Sequence, residues 1–291
     1  MKRLLAAFIM FSLVLTTCAC HPVTGDTEME EEESTVTDAP VISDDMAQAP
    51  TSPENDDAGE ANPIPPIEMP EVPEAEVIKN PREEVLICLD AGHGLIDPGA
   101  IGYLNGSTYY EKSFNLAIAR RTKEKLESLG YRVMMIRSGD TSLLGGSNYS
   151  ATYKTADEAV ARRKLGKEAG ASLYLSIHCN AYEGTSRAYG PLVFYNSSSA
   201  TTYRALSLAK TFSASFTKAN EAYPTARSCD IREGNSYIVL KELSMPALLL
   251  EIGFMTDEGD LALLNRADWQ SDCAGAIAEG VEKAFLGGLI E

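Results

Sequence analysis

Between residues 85 and 291 this 291-residue chain has only two histidines, and each comes at the end of an apolar run. The first lies in V-L-I-C-L-D-A-G-H-G, where His93 sits between Gly92 and Gly94. The second, His178, directly follows Leu173-Tyr174-Leu175-Ser176-Ile177. A carboxylate, Glu251, follows Ala247-Leu248-Leu249-Leu250 and precedes Ile252-Gly253-Phe254, where burial would be costly unless the group is paired or functional. Two imidazoles and a carboxylate form a ligand set for catalytic zinc, with a fourth position left for water. Imidazole nitrogen suits zinc better than calcium or magnesium. A three-histidine site is excluded, because residues 85–291 hold no third histidine. The glycines around His93 fit the same picture: they allow a sharp turn and give a metal and its substrate room to approach.

Each of these residues also has a structural reading. A histidine after a strand commonly serves packing alone, and a glutamate at a helix start, such as Glu111, is usually a partner of the helix dipole. Spacing alone leaves both readings open. Other chemistries fit less well. Gly92-x-Gly94 has Asp97 where a dinucleotide loop needs its third glycine, and no helix is expected there. Cys179 beside His178 does not make a thiol–imidazole pair, because neighbours on a strand point to opposite faces. Cys88, Cys179, Cys229 and Cys273 contain no C-x-x-C, which argues against a zinc knuckle. Cys88 and Cys179 fall at equivalent ends of two expected strands, so a disulfide or, preferably, a pair of buried thiols is expected.

The elements that must position these residues alternate strand with helix. Apolar runs at 85–90, 131–136, 173–177, 192–195, 237–240 and 247–250 are expected strands. Amphipathic stretches at 113–129, 155–170, 199–220 and 267–285 are expected helices, the second opened by capping-box spacing from Thr155 to Glu158. This order predicts an α/β fold: an open, mixed, largely parallel sheet of about six strands with helices on both faces. Ligand sites in such sheets form beyond the carboxyl ends of the strands. His93, His178 and Glu251 all fall there, and Glu111 ends the loop that starts from His93 and can return to the same edge.

The rest of the chain differs in kind. Residues 1–20 form an expected secretory leader: Lys2 and Arg3, an apolar run from Leu4 to Leu15 too short for a comfortable membrane span, then small residues. L-T-T-C, ending at Cys18, and T-C-A-C, ending at Cys20, resemble the lipobox of bacterial lipoproteins, so Cys18 or Cys20 is the expected lipidation site. Residues 21–84 hold 10 of the 14 prolines, no aromatic residue, and 19 acidic groups against Lys79 and Arg82. That segment therefore accounts for a charge of −17, the net charge of the whole chain, and residues 85–291 are nearly neutral. Such a composition does not offset the entropy of ordering, so a disordered tether is expected, reaching roughly 45 Å. Residues 85–291 are one domain's worth of chain. No basic patch or aromatic–basic interleaving points to nucleic acid.

Four stretches taken together carry a family resemblance: L-D-A-G-H-G-L-I-D-P-G-A-I-G, Y-E-K-S-F-N-L-A-I-A, L-Y-L-S-I-H-C-N-A and M-P-A-L-L-L-E-I-G-F-M-T. They resemble, in order and spacing, the motifs of the zinc-dependent N-acetylmuramoyl-L-alanine amidases, the group-3 cell-wall amidases of bacteria. The match covers essentially all of residues 85–291. It implies one zinc ion on His93, Glu111 and His178, with Glu251 as the catalytic carboxylate. It implies hydrolysis of the amide between N-acetylmuramic acid and L-alanine in peptidoglycan, in wall remodelling, daughter-cell separation or lysis. Asn180, on the face of His178 if the strand continues, is a candidate substrate contact. A monomer is expected, exported and lipid-anchored on the outer face of the cytoplasmic membrane within reach of the wall. The need for a protein activator is left open. The competing expectations are a non-catalytic wall-binding lipoprotein with an amidase-like fold, and another zinc peptidase or deacetylase acting on the wall. Two departures from the family pattern border the site: Leu95 stands where a further glycine is common, and residues 145–155 form an expected added loop. No insertion between His178 and Glu251 has the pattern of an extra occluding helix.

Overall fold

The computed structural model describes residues 80–144, 154–184 and 187–291. The leader, residues 21–79 of the acidic segment, the lipidation candidates Cys18 and Cys20, and residues 145–153 of the added loop lie outside the described residues.

The chain enters through a short 3-10 turn, Pro81–Glu84, whose Arg82 forms an ion pair with Glu282 near the C-terminus. Tyr131 donates to the same carboxylate at 2.7 Å. The packed region thus includes residues just ahead of the Val85 boundary. Strand β1 (Leu86–Ala91) follows, then a hairpin of β2 (Ile101–Leu104) and β3 (Ser107–Tyr110), then helix α1 (Glu111–Ser128) and β4 (Arg132–Met135). Next come α2 (Thr155–Glu168), β5 (Leu173–Asn180), β6 (Leu192–Tyr195), α3 (Thr202–Asn220) and β7 (Asp230–Glu233). A 3-10 turn at Ile238–Leu240 leads to β8 (Ala247–Phe254), and α4 (Glu258–Leu264) and α5 (Ala267–Leu286) close the fold.

Six strands make one sheet in the order β4-β1-β5-β8-β6-β7, with β6 antiparallel to β8 and every other pair parallel. The expected open, mixed, largely parallel sheet is what forms. β1, β5 and β8 are central and covered on both faces, which is why their sequences are near-continuous apolar runs. One face packs Phe114 and Ile118 of α1, Phe212 and Phe216 of α3 and Ile277 of α5 into a single apolar core. The other face is smaller and packs against α2 and the Ile238–Leu240 turn.

Several local expectations need correction. Residues 237–240 are not a strand: Val239 and Leu240 are buried, but on a 3-10 turn that packs against α2. The sixth strand is instead β7, whose sequence D-I-R-E is largely exposed at the sheet edge and so carries no apolar signal. The Thr155–Glu158 capping box does not form. Glu158 accepts from the N–H groups of Leu143 (2.8 Å) and Leu144 (2.9 Å), which hold the preceding loop against α2. Cys88 and Cys179 pack on opposite faces of the sheet, so no disulfide joins them; all four described cysteines are free and buried. Among the described residues, no helix is long and apolar enough to cross a membrane.

Candidate metal centre

The parallel register sets the site. β1 pairs with β5 up to Ala91 and Ile177, and β5 pairs with β8 at His178 and Glu251. His93 rises just beyond the end of β1, so its ring meets that of His178 edge to face, with centroids 4.8 Å apart. Glu111 reaches both rings. Its Oε1 lies 2.9 Å from His178 Nδ1, and its Oε2 lies 3.2 Å from His93 Nε2. One donor atom from each of His93, Glu111 and His178 falls within 4.8 Å of the others.

Glu111 is the first residue of α1, not a residue ahead of it, and the hairpin of β2 and β3 brings that helix start back to the sheet edge. The turn of this hairpin, Asn105-Gly106, has both residues at positive φ. Backbone N–H groups complete the carboxylate's environment: Cys179 donates to Oε1 (3.0 Å) and Ala100 to Oε2 (2.8 Å). Asn115, one helical turn on, donates to Oε1 at 3.1 Å. The default role of a helix-start glutamate, dipole partner, is superseded by a cage of donors aimed at a single carboxylate.

Gly94, at φ 141, makes the sharp turn as expected, but the clearance around the two glycines is used differently. A methyl group on Gly92 would fall 2.1 Å from His178 Nε2, so the bare backbone there admits the second imidazole. On Gly94 it would fall 2.2 Å from the Thr141 carbonyl oxygen. Both clearances are filled by the protein itself. Leu95, the bulky departure, sits at φ 53 in the left-handed region beside His93 at φ 62.

Electrostatics divides the two site carboxylates. Burial opposes ionisation of Glu111, but the hydrogen bonds to His178 and His93 outweigh it and hold the group well below the usual carboxylate range. Glu251 moves the other way: burial, and then the charge of Glu111, push it up to about 8. Its Oε2 is buried with no hydrogen-bond partner. For His93, burial disfavours the proton, yet the bonds to Asp97 and Glu111 carry the imidazole up to about 10. The surroundings of the cluster therefore favour a positive charge at His93 and a negative one at Glu111.

These features fit a metal. Two imidazole nitrogens and one carboxylate oxygen converge, and an unpaired carboxylate stands beside them. Asp97 Oδ2 lies 2.8 Å from His93 Nδ1, which orients the ring and leaves Nε2 facing the cluster. Asp97 was missed as a site residue, although a carboxylate four positions after a candidate ligand is a readable sign of such a partner. Asn180, offered as a substrate contact, accepts the Ala181 N–H on its side-chain oxygen at 2.8 Å, and the pairing of β5 with β8 slips between His178 and Asn180.

Two arginines were also missed. Arg162 of α2 bonds Asp90 (2.9 Å), pairs with Glu158, and donates to the carbonyls of Ala91 (2.8 Å) and His93 (2.7 Å). Arg137 donates to Ala91, Gly92, Gly139 and Lys112 carbonyls. The sequence signal of Arg137 resembles that of Glu251. Arg137 directly follows Val133-Met134-Met135-Ile136, a charge at the end of an apolar strand.

A largely parallel α/β sheet with two imidazoles and a carboxylate at neighbouring strand ends, and a second carboxylate buried beside them, is the scaffold of a metal-site hydrolase. The chain belongs to the N-acetylmuramoyl-L-alanine amidase family, whose sequence profile matches residues 87–283. It is 32% identical over 206 residues to the N-acetylmuramoyl-L-alanine amidase LytC of Bacillus subtilis, a match that spans 71% of this chain and 36% of that protein. The germination-specific N-acetylmuramoyl-L-alanine amidase of the same organism is 28% identical, over 70% of this chain and 81% of the relative. Among solved structures, the CwlD amidase from Clostridioides difficile, in complex with the GerS lipoprotein, superposes with a TM-score of 0.60 at 32% identity. That likeness covers 69% of this chain and 98% of the other.

Proposed function

We propose that this chain hydrolyses the amide joining the lactyl group of N-acetylmuramic acid to L-alanine in peptidoglycan. One zinc ion would be held by His93, Glu111 and His178. The observation that carries the reading is Glu251, a buried carboxylate with a free oxygen beside the three converging donors of an amidase-family domain. Zinc, when bound, supplies Lewis acidity at the scissile carbonyl and makes water easier to deprotonate.

The chain's own residues supply the rest. Glu251 takes the proton of the attacking water and then passes one to the departing amine of L-alanine. Its metal-free pKa of about 8 falls beside a cation, which makes it a base at neutral pH. Glu111 brings a negative charge that an all-imidazole site would lack. Asp97 holds the His93 ring in the orientation that keeps Nε2 toward the cluster. The leader would export the chain, lipid on Cys18 or Cys20 would anchor it, and the acidic tether would let the domain reach the wall.

The test is fragment analysis. The purified protein is incubated with peptidoglycan, with and without a chelator, and the released material is identified by mass spectrometry. Stem peptides bearing a free L-alanine amine are expected, lost with chelator and recovered on adding zinc. Deacetylated sugars, fragments cut inside the stem, or release that ignores the chelator would overturn the reading.

A further inference from the structure

We infer that Arg137, with Lys112 above it, is a positioning device for the metal ligands, stapling the turn that carries His93 to the helix start that carries Glu111. The inference rests on those residues being the ligands.

The turn needs such a restraint. His93, Gly94 and Leu95 are consecutive at φ 62, 141 and 53. Non-glycine residues in the left-handed region are strained and persist only where the surroundings over-determine them. Left to itself this segment would relax, and His93 would leave the position at which its ring meets Glu111.

Arg137 lies just beyond β4, on the same sheet edge as the cluster, and is only 4% exposed. Its planar head spans both arms of the site. Nε donates to Ala91 O at 2.7 Å, and Nη2 donates to Gly92 O at 2.9 Å, both immediately before His93. The same Nη2 donates to Lys112 O at 2.7 Å, immediately after Glu111. One rigid group thus sets the spacing between the backbones of two ligands. Lys112 repeats the link from the helix side: its Nζ donates to Leu95 O and to Asp140, each at 2.7 Å.

The comparison with Arg162 separates this arrangement from ordinary core pairing. Arg162 also donates to the carbonyls of Ala91 and His93, but these lie on the His93 arm alone, and it is buried against Asp90 and Glu158, so its charge is matched. Arg137 has no carboxylate in salt-bridge range among the described residues, and its four bonds all go to carbonyls. Burying an unpaired cation is costly, and this one is kept where its fork holds the ligand turn. Lysine would retain the charge but not the fork, since it lacks the planar set of donors.

The experiment uses the full chain and compares wild type with Arg137→Lys, Lys112→Ala and Leu126→Ala. The last opens the core at the far end of α1 and marks what general destabilisation does to metal binding. The zinc dissociation constant is measured by competition with a chromophoric chelator, and the metal-free proteins are melted in parallel. Zinc binding is expected to weaken by about 10- to 100-fold in Arg137→Lys, and by several-fold in Lys112→Ala. Leu126→Ala should lower the metal-free Tm and leave zinc affinity within about twofold of wild type. Wild-type affinity in Arg137→Lys, or a loss no larger than that of Leu126→Ala, overturns the inference. Should Arg137→Lys fail to fold, Lys112→Ala decides, and unchanged zinc affinity there overturns it equally. A wild-type protein that binds no zinc would instead remove the ligand assignment itself.

Discussion

Glu111 and Glu251 are both buried near the same two imidazoles, yet their surroundings are opposite. Glu111 accepts from the backbone of Cys179 and Ala100 and from Asn115, besides contacting both histidines. Glu251 has an oxygen with no partner at all. The first is held ionised in one orientation, as suits a ligand that must be ready before the metal arrives. The second keeps a lone pair unengaged, as suits a base that must take up a proton and release it. Position in the fold explains the difference. Glu111 sits where a helix start meets the Ala100 loop and the end of β5, each aiming an N–H at it, whereas Glu251 lies inside a central strand whose backbone groups are already paired to β5 and β6.

Exchanging each for glutamine tests this division with the largest expected effect. Glu251→Gln should retain zinc at near wild-type affinity and lose roughly 10²- to 10⁴-fold in turnover. Glu111→Gln should bind zinc far more weakly and recover part of its turnover at high zinc. Metal content by atomic spectroscopy and stem-peptide release, measured on both proteins, check the pair. Full turnover in Glu251→Gln, or zinc loss there with retention in Glu111→Gln, would invert the roles.

A smaller effect follows from the proton that Glu251 holds. In the metal-free fold its pKa is about 8 against an ordinary value of 4.5. A raised folded-state pKa means that the native state binds this proton more tightly than the unfolded chain does. Its stabilising contribution is complete below pH 4.5 and is lost as the pH rises through about 8. Glu251→Gln removes the buried charge at the alkaline end and changes little at the acidic end. The metal-free variant should therefore melt several degrees above metal-free wild type at pH 8.5 and close to it at pH 5. Equal shifts at both pH values would mean that Glu251 is not the group being titrated.

The contrast also explains how much was legible in the sequence. Strands β1, β5 and β8 are covered on both faces, so they stand out as apolar runs, and the polar residues at their ends stand out with them. His93, His178 and Glu251 were visible for that reason. Glu111 was placed at the same edge by the loop from His93, but a glutamate at a helix start has an ordinary explanation, so its role stayed open until its family motif argued for a ligand. β7 is polar and on an edge, so periodicity had nothing to detect. Tyr237-Ile238-Val239-Leu240 has strand-like residues, but they pack one side of a turn against α2. Asn105-Gly106 was a usable hairpin signal, overlooked between shorter and more polar strands than those of the core. Arg137 could have been found by the logic that found Glu251, applied to a cation rather than a carboxylate.

The smallest effect concerns the turn that carries His93. Leu95 is a half-buried leucine at φ 53, a conformation that glycine adopts without the same steric penalty. Its backbone is held at both ends, by Asp140 accepting its N–H at 2.7 Å and by Lys112 donating to its carbonyl. Leu95→Gly keeps those bonds and removes the clash of the Cβ, at the cost of greater freedom in the unfolded chain. The balance should favour the variant by about 1 kcal/mol, a rise of roughly 2–4 °C in Tm for a domain of this size. Zinc affinity should stay within about twofold, because His93 is placed by its own carbonyl, by those of Ala91 and Gly92 and by the bond of its ring to Asp97, and not by the leucine side chain. A stabilised protein with unchanged zinc affinity would show that strain at Leu95 is incidental to ligand placement. A stabilised protein that binds zinc more weakly would show instead that the leucine helps to keep the turn in its ligand-bearing shape, and that part of the readiness seen at Glu111 has its counterpart at His93.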